Sequence, residues 1–105
     1  MRFIETPIFT EDVESDLSVE EYRQLQVVLL LRPTQGALIR GSGGVRKLRW
    51  GRPGMGKRGG LRVIYFWEAS SETFYMLMVY RKNDQEDLTP KQVATLQRLV
   101  KEEFK

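Results

Sequence analysis

Four basic residues have the types and the spacing to hold a phosphate group between strands. Lys47 and Arg49 stand two residues apart and share one face of a predicted strand, Arg62 begins the next strand, and Lys82 ends the last one. Alternating charge on a strand can also serve only to keep an edge soluble. Because no carboxylate lies near Lys47, Arg49 and Arg62 in the sequence to pair with them, the pattern favours an anion site.

The positive charge of the whole chain is concentrated in the segment 40–62. This segment holds eight basic residues, no acidic residue and eight of the nine glycines, whereas the rest of the chain has nine basic and fourteen acidic residues. Concentrated positive charge attracts the phosphates of a polyanion and releases their counterions. Nucleic acid is therefore the first partner that the sequence indicates. The eight residues are Arg40, Arg46, Lys47, Arg49, Arg52, Lys57, Arg58 and Arg62.

Composition limits the chemistry further. The 105 residues predict a single domain spanning residues 1–105. With neither cysteine nor histidine, thiolate chemistry and the commonest acid–base group near neutral pH are excluded, so that Lys, Arg, Tyr or carboxylates must serve any catalysis.

No apolar run approaches the ~20 residues of a membrane-spanning helix, and the start of the chain lacks a signal-peptide pattern, so we expect a cytoplasmic protein without a membrane partner. The carboxylates of Glu11, Asp12, Glu14 and Asp16 indicate a solvated face rather than a metal site.

The predicted elements alternate between strands and capped helices. Ser18 and Glu21 form a capping box that starts one helix, which ends before Pro33, and Thr89, Pro90 and Gln92 start a second helix. The order of strand, helix, three strands and helix predicts an α+β domain with a small antiparallel β-sheet, an N-terminal helical segment and an additional C-terminal helix. The predicted strands are Arg2 to Glu5, Val45 to Trp50, Leu61 to Glu68 and Phe74 to Tyr80, and we interpret Pro7 as the end of the first.

The glycine-rich stretch GRPGMGK, residues 51–57, matches part of a nucleotide-binding P-loop. Arg58 stands where a Ser or Thr would hold magnesium, and a β-like sequence follows instead of a helix start. We interpret the stretch as a loop whose backbone can approach a phosphate closely. A hairpin connection with solubilising charges is the alternative.

Trp50 is the aromatic residue best placed to stack on a base, since Arg49 and Gly51 flank it at the edge of the basic segment. Packing in the core is the competing interpretation for Trp50 and the main interpretation for most of the other strand aromatics.

The motifs GGVRKLRW, GKRGG running into LRVIYFW, and the strand ending VYRKND resemble the RelE superfamily of bacterial toxins, most nearly its HigB-like branch. The resemblance implies a RelE-like fold and an mRNA endonuclease, or mRNA interferase, of a type II toxin–antitoxin system. Such toxins cut messages in the ribosomal A site without a metal or other cofactor and thereby inhibit translation and growth. The implied partners are mRNA, the ribosome and a cognate antitoxin, expected to be a HigA-like helix-turn-helix protein whose complex binds operator DNA.

The resemblance also implies roles for individual residues. Lys47 and Arg49 fall on paired basic residues of the family's second strand, Arg62 on the arginine that opens the third, and Lys82 on the basic residue after the fourth. Lys47 is then the general base, because Arg49 stands where some members have a second lysine. Leu88 occupies the position of the tyrosine that stacks on the cleaved base in RelE. Residues expected to contact RNA are Arg46, Trp50, Arg52, Lys57, Arg58 and Arg81.

RNA supplies its own nucleophile, the 2′-OH, so these residues suffice for cleavage. Crowding by cations disfavours the charged form of the Lys47 amine and activates it as a base, Arg62 stabilises charge on the phosphate, and Lys82 or Arg81 donates a proton to the leaving oxygen. We expect Asp84, Glu86 and Asp87 to keep Lys82 protonated. The rival hypothesis is a non-catalytic RNA- or ribosome-binding domain. A DNA-binding repressor is disfavoured because neither helix carries a basic stripe.

Overall fold

The computed structural model describes residues 1–51 and 60–104, in which five strands form one sheet and three helices pack on its two faces. The last helix continues into a π-helical turn, Val100–Phe104. The strands are β1 (Arg2–Glu5), β2 (Ala37–Leu38), β3 (Arg46–Trp50), β4 (Leu61–Glu68) and β5 (Thr73–Arg81), and the helices are α1 (Pro7–Asp16), α2 (Val19–Leu31) and α3 (Pro90–Leu99).

Helices α2 and α3 begin as the sequence predicts. Ser18 and Glu21 form a reciprocal capping box at the start of α2, and Thr89 and Gln92 form another at the start of α3. Each box satisfies backbone N–H groups that lack a partner within the helix.

Helix α1 was not predicted, since Pro7 was interpreted only as the end of a strand. The Thr6 hydroxyl accepts a hydrogen bond from the Phe9 N–H at 3.1 Å, and Pro7 occupies the first helical position. The pair Thr6–Pro7 therefore repeats the start signal of α3, where Thr89 precedes Pro90. The two-residue strand β2 was also missed, because it is short and follows a loop.

The sheet has the strand order β1-β5-β4-β3-β2. The pairings β2–β3, β3–β4 and β4–β5 are antiparallel, whereas β1 pairs with β5 in parallel. The α+β class is confirmed, and the predicted antiparallel sheet differs in that β1 makes it mixed. The connection that the parallel pairing of β1 with β5 requires runs through α1, α2 and the other three strands.

Strand β4 runs through the centre, and its first six residues are buried. Leu61, Val63 and Tyr65 belong to the core under α1 and α2, whereas Ile64 and Phe66 belong to a second core under α3. We call these two sides the α1/α2 face and the α3 face. Because β4 is covered on both faces, its side chains are held in fixed positions, and a functional site on β4 would be rigid.

A β-bulge interrupts the pairing of β5 with β4. Tyr65 pairs with Met76 and Ile64 pairs with Met78, so Leu77 is an extra residue. Leu77 and Met78 both pack into the core of the α3 face although they are consecutive. The bulge thus shifts the alternation of β5, and Tyr80 faces the α3 side of the sheet as its cross-strand partner Arg62 does.

Candidate active site

A cavity of about 530 Å³ opens at the end of the α3 face, beyond the part of the sheet that α3 covers. Strand β3 contributes two of its basic residues, β4 contributes one, and the residue after β5 contributes the fourth. Two carboxylates come from the segment that leads to α3. The lining residues are Lys47, Arg49, Arg62, Lys82, Glu86 and Asp87.

The strand register places the cations together. Arg49 lies directly opposite Arg62, and Lys47 lies opposite Ile64, so the side chains of both pairs point to the same face. The backbone N–H of Lys82 donates to the Gly60 carbonyl at 3.2 Å, which extends the β4–β5 ladder beyond Arg81. The four residues predicted to be catalytic therefore share one cavity.

Arg62 is the most buried of these cations, with 8% of its surface exposed. Within the described residues its guanidinium makes one hydrogen bond, from Nη1 to the Leu61 carbonyl at 3.4 Å, and no ion pair. Burying a charge without a direct ion-pair partner is costly, and the Asp87 carboxylate interacts with Arg62 only through space. An anion bound in the cavity would offset that cost, so the geometry around Arg62 favours a phosphate ligand.

Lys47 has a carboxylate partner. Its Nζ lies 3.3 Å from Oδ1 of Asp87, and the lysine side chain is 21% exposed against 70% for the aspartate. The Leu88 N–H donates to the same oxygen at 2.8 Å. This N–H, the Lys47 ammonium and the charge of Arg62 lower the pKa of Asp87, against the opposing effect of its partial burial.

The Asp87 contact corrects one prediction. The sequence placed Asp84, Glu86 and Asp87 beside Lys82 and left Lys47 among cations alone. In the structure Asp87 forms its ion pair with Lys47, because the segment after Lys82 folds back over β3. Proximity in the sequence therefore misassigned this carboxylate.

Three residues expected to contact RNA lie outside the cavity. Arg46 Nη1 donates to the carbonyls of Thr34 and Gly36, each at 2.8 Å. Trp50 packs, half-buried, against the core of the α1/α2 face, so the core interpretation of this residue fits its position. The side-chain Nε1 of Trp50 is buried and has no hydrogen-bond partner among the described residues.

Arg81, the third, is exposed and forms an ion pair with Asp16 at the end of α1. The remaining expected RNA contacts, Arg52, Lys57 and Arg58, and most of the P-loop-like stretch lie outside the described residues.

Tyr80 is a neighbour of the site that the sequence assigned only to the core. It lies opposite Arg62, is 6% exposed, and its hydroxyl has no hydrogen-bond partner among the described residues. Burial raises the pKa of Tyr80, and the nearby Asp87 carboxylate adds to this shift while Arg62 opposes it. The sequence signal for Tyr80 was its spacing of two residues from Lys82, because residues two apart on a strand point to the same face.

Leu88 fills the position where the RelE tyrosine was expected, and its side chain packs against the core of the α3 face. It holds the segment before α3 in place beside the cavity. In the part of the chain that the structure describes, no group of three or more acidic, histidine or cysteine side chains is arranged to hold a metal ion. No described helix is long and apolar enough to cross a membrane.

Comparison with known proteins agrees with this fold. The free-state structure of a double mutant of the E. coli toxin RelE matches with a TM-score of 0.59 at 17% sequence identity, covering 91% of this chain and 92% of the RelE chain. The shared fold defines a small α+β domain of the RelE type. Residues 34–105 match the family described as the RelE toxin of the RelE/RelB toxin–antitoxin system. The chain belongs to this toxin family, which confirms the resemblance, while its placement in the HigB-like branch stays a prediction.

Proposed function

We propose that this toxin is a ribosome-dependent mRNA endonuclease that uses the 2′-OH of its substrate as the nucleophile and needs no metal. The observation that carries the proposal is the cavity of four cations, in which the buried Arg62 has no carboxylate partner among the described residues. Membership of the RelE toxin family supports messenger RNA as the polyanion.

In the proposed cleavage step, Lys47 acts as the base on the 2′-OH and Lys82 acts as the acid on the leaving 5′-oxygen. The neutral amine of Lys47 removes the proton from the 2′-OH, and the resulting oxyanion attacks the adjacent phosphorus. The bond from phosphorus to the 5′-oxygen breaks, and the Lys82 ammonium protonates that oxygen. The products are a 2′,3′-cyclic phosphate and a 5′-OH, so DNA is not cut.

Arg49 and Arg62 act on the phosphate itself. Their guanidinium groups lie on opposed positions of β3 and β4 and can donate to the non-bridging oxygens. Charge on these oxygens increases in the transition state, so donors fixed by a buried strand stabilise it more than they stabilise the ground state.

Two further parts of the proposal concern partners. A toxin of this family is paired with an antitoxin. We propose that this antitoxin is a HigA-like helix-turn-helix protein that also binds operator DNA. The ribosome supplies the message in its A site. Since Leu88 packs against the core and has no aromatic ring to stack on a base, codon positioning would fall to the ribosome and to basic residues outside the cavity.

A non-catalytic RNA- or ribosome-binding domain is the second candidate, and the Asp87–Lys47 ion pair favours it because the carboxylate occupies the side chain that would have to act as the base. The deciding experiment treats the protein with EDTA and adds it to translating ribosomes and message. Cutting at defined positions with 5′-OH ends supports the endonuclease. Ribosome binding without any cutting overturns it in favour of the binding domain.

A further inference from the structure

The segment between β5 and α3 presents Asp87 to Lys47 in a fixed arrangement. The Asp87 carboxylate accepts the Leu88 N–H, while its main-chain carbonyl accepts from Gln85 Nε2 at 2.9 Å. The same Gln85 nitrogen donates to Gln92 Oε1 at 3.1 Å. Gln92 in turn belongs to the capping box of α3. The capped start of α3 therefore holds the aspartate at the cavity.

Competition for Lys47 follows from the charges in the cavity. Lys47 has one ammonium, and the Asp87 carboxylate already occupies it at 3.3 Å. A phosphate oxygen that binds Lys47 must displace this carboxylate or share the ammonium with it. Glu86 lines the same cavity but makes no ion pair with any described residue, so its charge acts on the cavity only from a distance.

We propose that Asp87 is a positioning residue that holds the Lys47 side chain in an ion pair in the free protein until an RNA phosphate displaces the carboxylate. The inference rests on the proposed function, since it concerns the same lysine and the same substrate. The Lys47 side chain is then released toward the substrate only when the phosphate is in place. Asp87 thereby also disfavours weakly bound anions, because each must first compete with a tethered carboxylate.

Binding of inorganic phosphate to the full chain tests the competition without any cleavage. Asp87→Asn should bind phosphate about two- to fivefold more tightly, the factor expected for removing a partly exposed ion pair. Glu86→Gln removes the same charge from the same cavity and is the matched control, with a smaller gain. In a Lys47→Gln background, Asp87→Asn should gain no more than Glu86→Gln does.

Three binding results would overturn the inference: equal gains for Asp87→Asn and Glu86→Gln, a gain that persists without Lys47, or no gain at all. Failure of every variant, and of the parent, to bind phosphate would instead remove the anion site and the proposed function with it. The phosphate-binding experiment therefore tests the role of Asp87 separately from the proposed function, even in a chain that cuts no RNA.

The kinetics of cleavage give the second readout. Asp87 competes with the RNA phosphate for Lys47, so Asp87→Asn should lower the KM for the message about two- to fivefold, and Glu86→Gln should lower it less. A merely structural role of Asp87 would lower kcat without lowering KM, which would contradict the inference.

Discussion

Arg49 and Arg62 lie directly opposite each other on neighbouring antiparallel strands, so two guanidinium groups face one cavity. Like charges at opposed positions destabilise a sheet. Such a pair is consistent with a site that is completed only when an anion binds between the two strands. Stability and anion binding should therefore change in opposite directions when one of the pair is removed.

Arg49→Thr should raise the free energy of unfolding by about 0.2–1 kcal/mol, because it removes the repulsion and introduces a residue that favours strands. The same variant should gain less stability from phosphate than the parent does. Urea unfolding with and without sodium phosphate, using sodium chloride at equal ionic strength as the control, measures both effects. A variant that is less stable than the parent and equally stabilised by phosphate would contradict this interpretation of the pair.

Lys47→Ala and Arg62→Ala should each lower the rate of message cleavage by about 10²–10³-fold, since one removes the base and the other a donor to the transition state. Arg62→Met serves as a second variant that keeps the aliphatic stem of this buried residue. The exposed Arg23 on α2 provides the matched control as Arg23→Ala. Growth arrest after induced expression, together with circular dichroism to verify folding, gives the measurement. Full toxicity of the folded variants would show that the site lies elsewhere.

Lys82→Ala should slow cleavage of an ordinary message strongly, because the leaving 5′-oxygen then lacks its proton donor. A substrate with a 5′-phosphorothiolate at the scissile position has a sulfur leaving group that departs without protonation. Much of the lost rate should return on that substrate. Equal impairment on both substrates would mean that Lys82 only binds phosphate.

Gly36→Ala should cost about 1–3 kcal/mol of stability, the usual range for overpacking. A Cβ at Gly36 would lie 2.9 Å from both Cε1 and the hydroxyl oxygen of Tyr65. This hydroxyl accepts the Gly36 N–H at 3.0 Å and donates to the Pro33 carbonyl at 2.8 Å, so it cannot move aside freely. Gly51→Ala is the matched control, since a Cβ there meets nothing within 4 Å. Equal unfolding midpoints for the two variants would show that the Tyr65 side chain moves to accommodate the new Cβ.

Glu68→Gln should destabilise the β4–β5 hairpin near neutral pH. Hydrogen bonds from Ser71 and Ser70 lower the pKa of Glu68 from 4.5 to about 2. A lowered folded-state pKa stabilises the fold above the unfolded value, and this stabilisation is lost as the pH falls from about 4.5 to about 2. The difference in stability between parent and Glu68→Gln should therefore vanish over that interval in acid titrations. A difference that is constant with pH would exclude the ionised carboxylate as its cause.

The sequence by itself determined the starts of α2 and α3 and the central strands, because these depend on local chemistry. Ser18 with Glu21 and Thr89 with Gln92 satisfy N–H groups three residues away, and Leu61–Glu68 has the bounds that the pattern predicted. Charge concentration and strand alternation also brought Lys47, Arg49 and Arg62 together as a group. The start of α1 at Thr6 and Pro7 carried a local signal as well, which was interpreted only as the end of a strand.

The tertiary structure decided to which face of the sheet the side chains at the end of β5 point. Without the extra residue at Leu77, simple alternation would turn Arg81 toward the cavity and Lys82 away from it. The bulge reverses this, so Lys82 lines the cavity and Arg81 pairs with Asp16. A bulge depends on how two strands pair across the sheet, and the ion pair of Asp87 with Lys47 joins residues 40 positions apart. Neither relationship is local, and local spacing therefore could not reveal them.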